Sequence, residues 1–158
     1  MTTIKIGEKE YDLEFTFAAA DEKNLIQSMF KIVSGAYFFN HGKEETMAAA
    51  MMNGTAEMVA DLPMVCKQAF YAGLKEHHEG ITYEEAIELM KAYMKENKMS
   101  FNALFQLLKT QMEEDGFFEL TGIVEMMEQM SKEEENTEQT AKQPKTPQDH
   151  LKKLTGTK

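Results

Sequence analysis

The chain has 158 residues, the length of one ordinary domain that can bury a core without disulfides or metals. Hydrophobic residues make up 42% of it, one cysteine excludes an internal disulfide, and a net charge of −10 with lysine as the only strong base argues against nucleic acid as a partner. No apolar run reaches the ~20 residues that span a bilayer, and no charged start followed by an apolar stretch marks export, so a soluble cytosolic protein without a membrane partner is expected.

The charge is unevenly spread. Residues 1–130 carry 11 Lys against 22 Asp and Glu, whereas residues 139–158 carry 5 Lys against Asp149 alone. Only that small basic end could touch a polyanion, and weakly.

In chain order, "TIKIGEKEYDLEFTF" alternates apolar and polar residues. Ile4 and Ile6 share one face of a first strand, and Tyr11, Leu13, Phe15 and Phe17 one face of a second, with the turn near Gly7. A two-stranded hairpin is marginal in water, so its apolar side must lie on the helices that follow. A first helix is expected from about Ala18 to Tyr37, with Leu25, Met29, Val33 and Tyr37 inward and a break at Asn40, His41 and Gly42. A second runs from about Lys43 to Met52, stopped by Asn53 and Gly54. Pro63 then opens a helix in its first turn, with Cys66, Phe70, Gly73, Leu74 and His77 on one side.

Gly80 stops that helix, and Thr82 with Glu85 three residues later makes a capping box for the next, whose inner face is Ala86, Met90, Tyr93 and Met94. Ser100 caps a helix with Phe101, Leu104, Phe105, Leu108 and Met112 at helical spacing, ended by Gly116. A last amphipathic segment, about Phe118 to Met130, carries Leu120, Val124, Met127 and Met130. From Ser131 the sequence is polar, with only Leu151 and Leu154 as large apolar groups, too little burial to offset chain entropy. Within it, Thr146, Pro147 and Asp149 outline the start of a short helix with Leu151 and Leu154 one turn apart; two leucines in a polar tail also arise by chance, and both readings stand.

The expected fold is therefore mainly α (α+β). An N-terminal β-hairpin packs on a bundle of about five or six helices over residues 1–130, and residues 131–158 form a disordered polar tail with a short helical motif at 147–154.

Catalytic and ligand motifs are absent where they would be sought. No G-x-S-x-G elbow surrounds a serine, and no glycine-rich phosphate loop exists. Cys66 lies on the apolar side of a helix and reads as a small inert hydrophobe. The adjacent His77 and His78 point about 100° apart on a helix, the wrong geometry for one metal, and more simply complement the helix dipole. Neither Gly80 nor Gly116 has the acid and glutamate positions of a calcium loop. No catalytic residue, metal or cofactor is expected.

The ordered pieces "IKIGEKEYDLEF", "AFYAGLKEHHEGITYEEAIELM" and "QMEEDGFF" together resemble the tail assembly chaperones of long-tailed bacteriophages over roughly residues 1–118. The most specific parts are the Phe70–Leu74 helix end and the capped start from Thr82 to Glu85; residues 18–60 match less well, being rich in Met and Ala. The resemblance implies a non-enzymatic protein of the host cytoplasm, absent from the mature virion. It would bind the tape measure protein and help recruit the tail tube protein. The alternative is a helical adaptor or regulatory protein acting through its C-terminal tail. A homo-oligomer is compatible with either, through hairpin edges or exposed apolar helices.

Residues 46–64 hold five of the fourteen methionines. Methionine re-packs readily against varied partners, so Met47, Met51 and Met52 read either as core or as the wall of a shallow groove. Met64 and Met29 read as core. The other candidate partner-binding residues are Phe117, Met126 and Met130, with Leu151 and Leu154 in the tail.

Overall fold

The computed structural model describes residues 1–39 and 46–141, with side chains to residue 38 and from 46 to 133. The break expected at Asn40 to Gly42 and the tail motif with Leu151 and Leu154 lie outside the described residues. The chain divides into two units, Met1–Glu125 and Met126–Lys158.

The first unit is a hairpin on helices. Strands β1 (Thr2–Ile6) and β2 (Lys9–Leu13) pair antiparallel with Ile4 opposite Tyr11, joined through Gly7 in the left-handed region at φ 61°. Ile4, Ile6, Leu13 and Phe15 are buried. Phe17, expected on the same face, is exposed instead: the strand ends at Leu13 and Phe17 opens a short helix, α1 (Phe17–Ala20), so the period-two alternation no longer applies.

The single helix expected over residues 18–37 is three pieces: α1, α2 (Lys23–Val33) and α3 (Ala36–Phe39). The chain leaves helical geometry at Glu22 and again at Gly35, whose φ is 70°. Leu25, Met29 and Tyr37 are buried as their spacing predicts.

The largest departure lies in α4 (Met47–Lys75), one helix of 29 residues where two were expected. It runs straight through Asn53, Gly54 and Pro63. Gly54 is not a stop but a contact: a β-carbon there would stand 2.5 Å from the Tyr37 carbonyl oxygen and 2.8 Å from the Phe38 ring, so glycine lets α3 lie against α4. Pro63 has no N–H for the Val59 carbonyl, and Val59 is exposed, so water can take that hydrogen bond.

α4 is the hub, packing against β2 and α1, α2 and α3, and against α5 (Tyr83–Glu96) and α6 (Phe101–Glu114). The starts of α5 and α6 were legible in sequence. Thr82 Oγ1 accepts from the Glu85 N–H at 3.2 Å and the Glu85 carboxylate accepts from the Thr82 N–H at 2.9 Å, while Ser100 Oγ accepts from the Ala103 N–H at 3.2 Å.

The hairpin docks where Gly73 lets it approach: a β-carbon on Gly73 would stand 3.0 Å from the Phe15 ring, and the Glu14 N–H donates to the Gly73 carbonyl at 2.9 Å. Phe15 is wholly buried edge-on to Phe117, and its N–H donates to Asp115 at 2.9 Å. Asp115 also accepts from the Gln111 amide at 2.8 Å and from the Met1 ammonium.

Beyond Gly116 (φ 72°), α7 (Phe117–Leu120) ends at Gly122 and α8 (Ile123–Ala141) follows. Helix therefore extends eleven residues past Met130, where the sequence reading ended the folded body. Glu and Lys are good helix formers, and Lys132 lies 3.8 Å from Glu128 one turn back. Among the described residues no helix is long and apolar enough to cross a membrane.

Candidate functional site: an uncovered seam on the central helix

At 1.5 Å per residue α4 is about 44 Å long, and only part of it is clad by the rest of the fold. Thr46 caps it, its Oγ1 accepting from the Ala49 N–H at 3.3 Å. Along α4 the residues Ala48, Met52, Thr55, Val59, Leu62, Cys66, Ala69 and Gly73 recur at alternating spacings of four and three. That spacing keeps them on one side of the helix, as in the seam of a coiled coil.

The seam has two halves in opposite environments. Leu62, Cys66, Ala69 and Gly73 are buried, while Ala48, Met52, Thr55 and Val59 are exposed. Met52 is 74% exposed and Val59 55%, against 4% for Leu62. The reason lies in α6 and the hairpin. The Cys66 thiol donates to the carbonyl of Phe101, the first residue of α6, at 3.4 Å, so α6 begins at the level of Cys66. Its other end, at Gln111 and Asp115, lies beside Phe15 and thus at the Gly73 end of the seam. α6 meets the seam at Cys66 and the hairpin residues Phe15 and Leu13 cover it at Gly73, while among the described residues Ala48 to Val59 are left open.

The opposite edge of this half is held in place. Tyr37 Oη donates to Asp61 at 2.7 Å, Lys31 Nζ donates to the same carboxylate at 3.2 Å, and Lys31 lies over the Tyr37 ring at 4.0 Å. The Tyr37 hydroxyl, then Lys31, hold the Asp61 carboxyl below the usual carboxylate range, while burial and Asp61 push the Tyr37 phenol above its own. With Gly54 against α3, this cluster fixes α4 on one side and faces its bare stripe outward.

The open half is also uncharged where it is bare. Between Met47 and Cys66 the only ionisable residues apart from that cysteine are Glu57 and Asp61, one turn apart, and Asp61 faces the Tyr37 cluster. An exposed helical face with methionine, valine and alanine and no charge is a contiguous apolar surface of the kind that marks an interaction site. Burying a methionine or valine fully is worth about 1.5–3 kcal/mol, so covering Met51, Met52 and Val59 would contribute several kcal/mol to an association before its entropic cost.

Of the residues singled out in the sequence, Met47, Met51 and Met52 are exposed, at 82%, 58% and 74%, and share this half of α4. That exposure is incompatible with the core reading of these three methionines. Met126 and Met130, one turn apart on α8 in the second unit, are exposed as well. Phe117 is a correction: it is fully buried between Phe15 and Phe118 and offers no surface to a partner. Met64 is a second, being exposed where core was expected, because it lies off the seam that Leu62 and Cys66 bury. Ala48, Thr55 and Val59 were missed; their signal is the four–three spacing, hidden once Asn53 and Gly54 are taken as a helix stop.

The groups considered for chemistry are otherwise engaged. Cys66 is buried, which pushes its thiol up to about 12. His77 Nε2 lies within hydrogen-bond distance of Glu14 Oε2, at 2.7 Å, a contact across to the end of the hairpin, and His78 packs on Tyr11 with ring centroids 5.4 Å apart. Among the described residues no group of three or more His, Cys, Asp or Glu is placed to hold a metal ion.

No protein-family model, curated protein or solved structure matches this chain.

Proposed function

We propose that this protein is a non-enzymatic assembly chaperone of the long-tailed bacteriophage type, which binds an amphipathic helix of the tape measure protein along the open half of α4 and helps recruit tail tube subunits. It acts in the host cytoplasm and is absent from the finished virion. The observation that carries the reading is the seam that is buried from Leu62 to Gly73 and bare from Ala48 to Val59. A partner helix laid there continues the packing that α6 makes with the other half, and methionines at its edge adapt to a changing partner sequence. The resemblance over residues 1–118 supplies the partner's identity.

Co-expression of the full chain with the tape measure protein tests it. A soluble co-purifying complex is expected, and the pair Met52→Glu with Val59→Glu should abolish it while the variant itself stays folded. Independent behaviour of the two unmodified proteins would contradict the proposal. Deleting residues 131–158 separates the chaperone from an adaptor working through its tail: the chaperone keeps its partner.

A further inference from the structure

A second surface lies away from the seam. Tyr11 on β2, His78 to Ile81 in the turn after α4, and Glu84, Glu85, Glu88 and Leu89 on α5 enclose an open cavity of about 710 Å³. Its volume falls within the roughly 300–1,000 Å³ of ordinary ligand pockets. Tyr11, Ile81 and Leu89 give it apolar walls, and four glutamates with no lysine give it its charge.

These carboxylates differ in how far they are already used. Glu85 caps α5, and the Thr82 N–H and hydroxyl hold its carboxyl below the usual range. Glu88 pairs with Lys91 at 2.6 Å, an exposed contact that water weakens. Glu79 and Glu84 make no ion pair or hydrogen bond among the described residues. Glu84 and Glu88 are one turn apart on the same face of α5, a like-charge spacing that disfavours the helix unless a cation comes between them. His78 Nε2, in the wall, is buried without a hydrogen-bond partner. The carboxylates do not converge in a metal-binding arrangement.

We infer that this cavity binds a peptide segment carrying a lysine or arginine beside an aliphatic residue. The basic group sits between Glu84 and Glu88 with Glu79 near it, its aliphatic stem lies along Leu89, and the neighbouring apolar side chain packs on Tyr11 and Ile81. Charge complementarity selects this occupant over an anionic or purely apolar one. The inference stands on the cavity alone and does not depend on the function proposed for α4.

The test uses the ¹⁵N-labelled full chain and the capped peptide Gly-Leu-Arg-Arg-Leu-Gly, followed by amide chemical shifts. Saturable changes confined to Tyr11, His78, Ile81 and Leu89 are expected, with an affinity that falls several-fold between about 50 and 300 mM salt. Glu84→Gln with Glu88→Gln should weaken binding at least about fivefold, and Glu114→Gln with Glu119→Gln, an equal loss of charge elsewhere, should not. Replacing both leucines of the peptide by serine should also cost binding. Equal losses in the two double variants, unsaturable shifts over the whole acidic surface, or shifts at Met51 to Val59 would each overturn the inference. So would concentration-dependent shifts at the cavity without peptide, which would assign it to a second copy of the chain. Met52→Glu with Val59→Glu leaves this binding intact, so failure here and failure of the α4 proposal are distinguishable.

Discussion

Val59 and Leu62 stand three residues apart on the same seam of α4, yet Val59 is 55% exposed and Leu62 only 4%. The same stripe is therefore core on one side of this step and surface on the other. Val59→Ala should change the free energy of unfolding by no more than about 0.5 kcal/mol, whereas Leu62→Ala should cost about 2–5 kcal/mol. Urea denaturation of the two variants checks this, and a comparable loss in both would mean that Val59 is packed in the free protein.

Gly54 tests the seating of α4. Alanine is the better helix former by about 1 kcal/mol, so Gly54→Ala would stabilise an isolated helix. Here the added carbon meets the Tyr37 carbonyl at 2.5 Å, which is backbone and cannot rotate away. Overpacking of this kind costs about 1–3 kcal/mol, so the net effect expected in thermal or urea unfolding is destabilisation. A stabilised variant would show that α3 does not rest on α4.

Cys66 gives a pH signature. Its thiol is pushed up to about 12 in the folded chain and ionises near 8.5 when unfolded. A group raised on folding contributes stability that is complete below the unfolded value and is lost as pH rises above it. Between pH 8 and pH 10 the loss from this thiol is about 2 kcal/mol. Cys66→Ala should remove that part of the decline, and identical pH profiles for the two proteins would contradict the burial.

Asp115 acts at the opposite end of the scale. Burial alone would raise its carboxyl, but the Met1 ammonium, the Phe15 N–H and the Gln111 amide outweigh it and hold the carboxyl below the ordinary range. A depressed carboxyl contributes stability above the unfolded value of about 3.9 and loses it as pH falls through the folded one. Asp115→Asn should cost about 1–3 kcal/mol near neutrality and flatten the decline between pH 5 and pH 3, measured by urea unfolding at each pH.

What was legible in the sequence was local. The hairpin alternation as far as Phe15, the Thr82 capping box, the Ser100 cap and the inward stripe of α6 from Leu104 to Met112 are each decided within a few neighbouring residues, and each appears where the pattern put it. The misreadings share one cause. Asn53 with Gly54 and then Pro63 carry local signals for a stop and a start, but glycine at position 54 serves the approach of α3, a contact that no window of α4 contains. A stop at that point conceals the seam, because Val59 falls in line with Met52 and Leu62 only on an unbroken helix. Phe117 failed for a related reason: Phe15, which packs edge-on against it, arrives from the far end of the chain.

The most direct measurement is methyl NMR on the full chain labelled at the methionine methyl carbons, alone and with the tape measure protein. Met51 and Met52, exposed in the free protein, should shift and become protected from a soluble paramagnetic probe in the complex, while the buried Met29 and Met90 keep their positions. A complex that forms while Met51 and Met52 retain their free-state shifts and accessibility would contradict the proposal that the α4 seam is a helix-binding face.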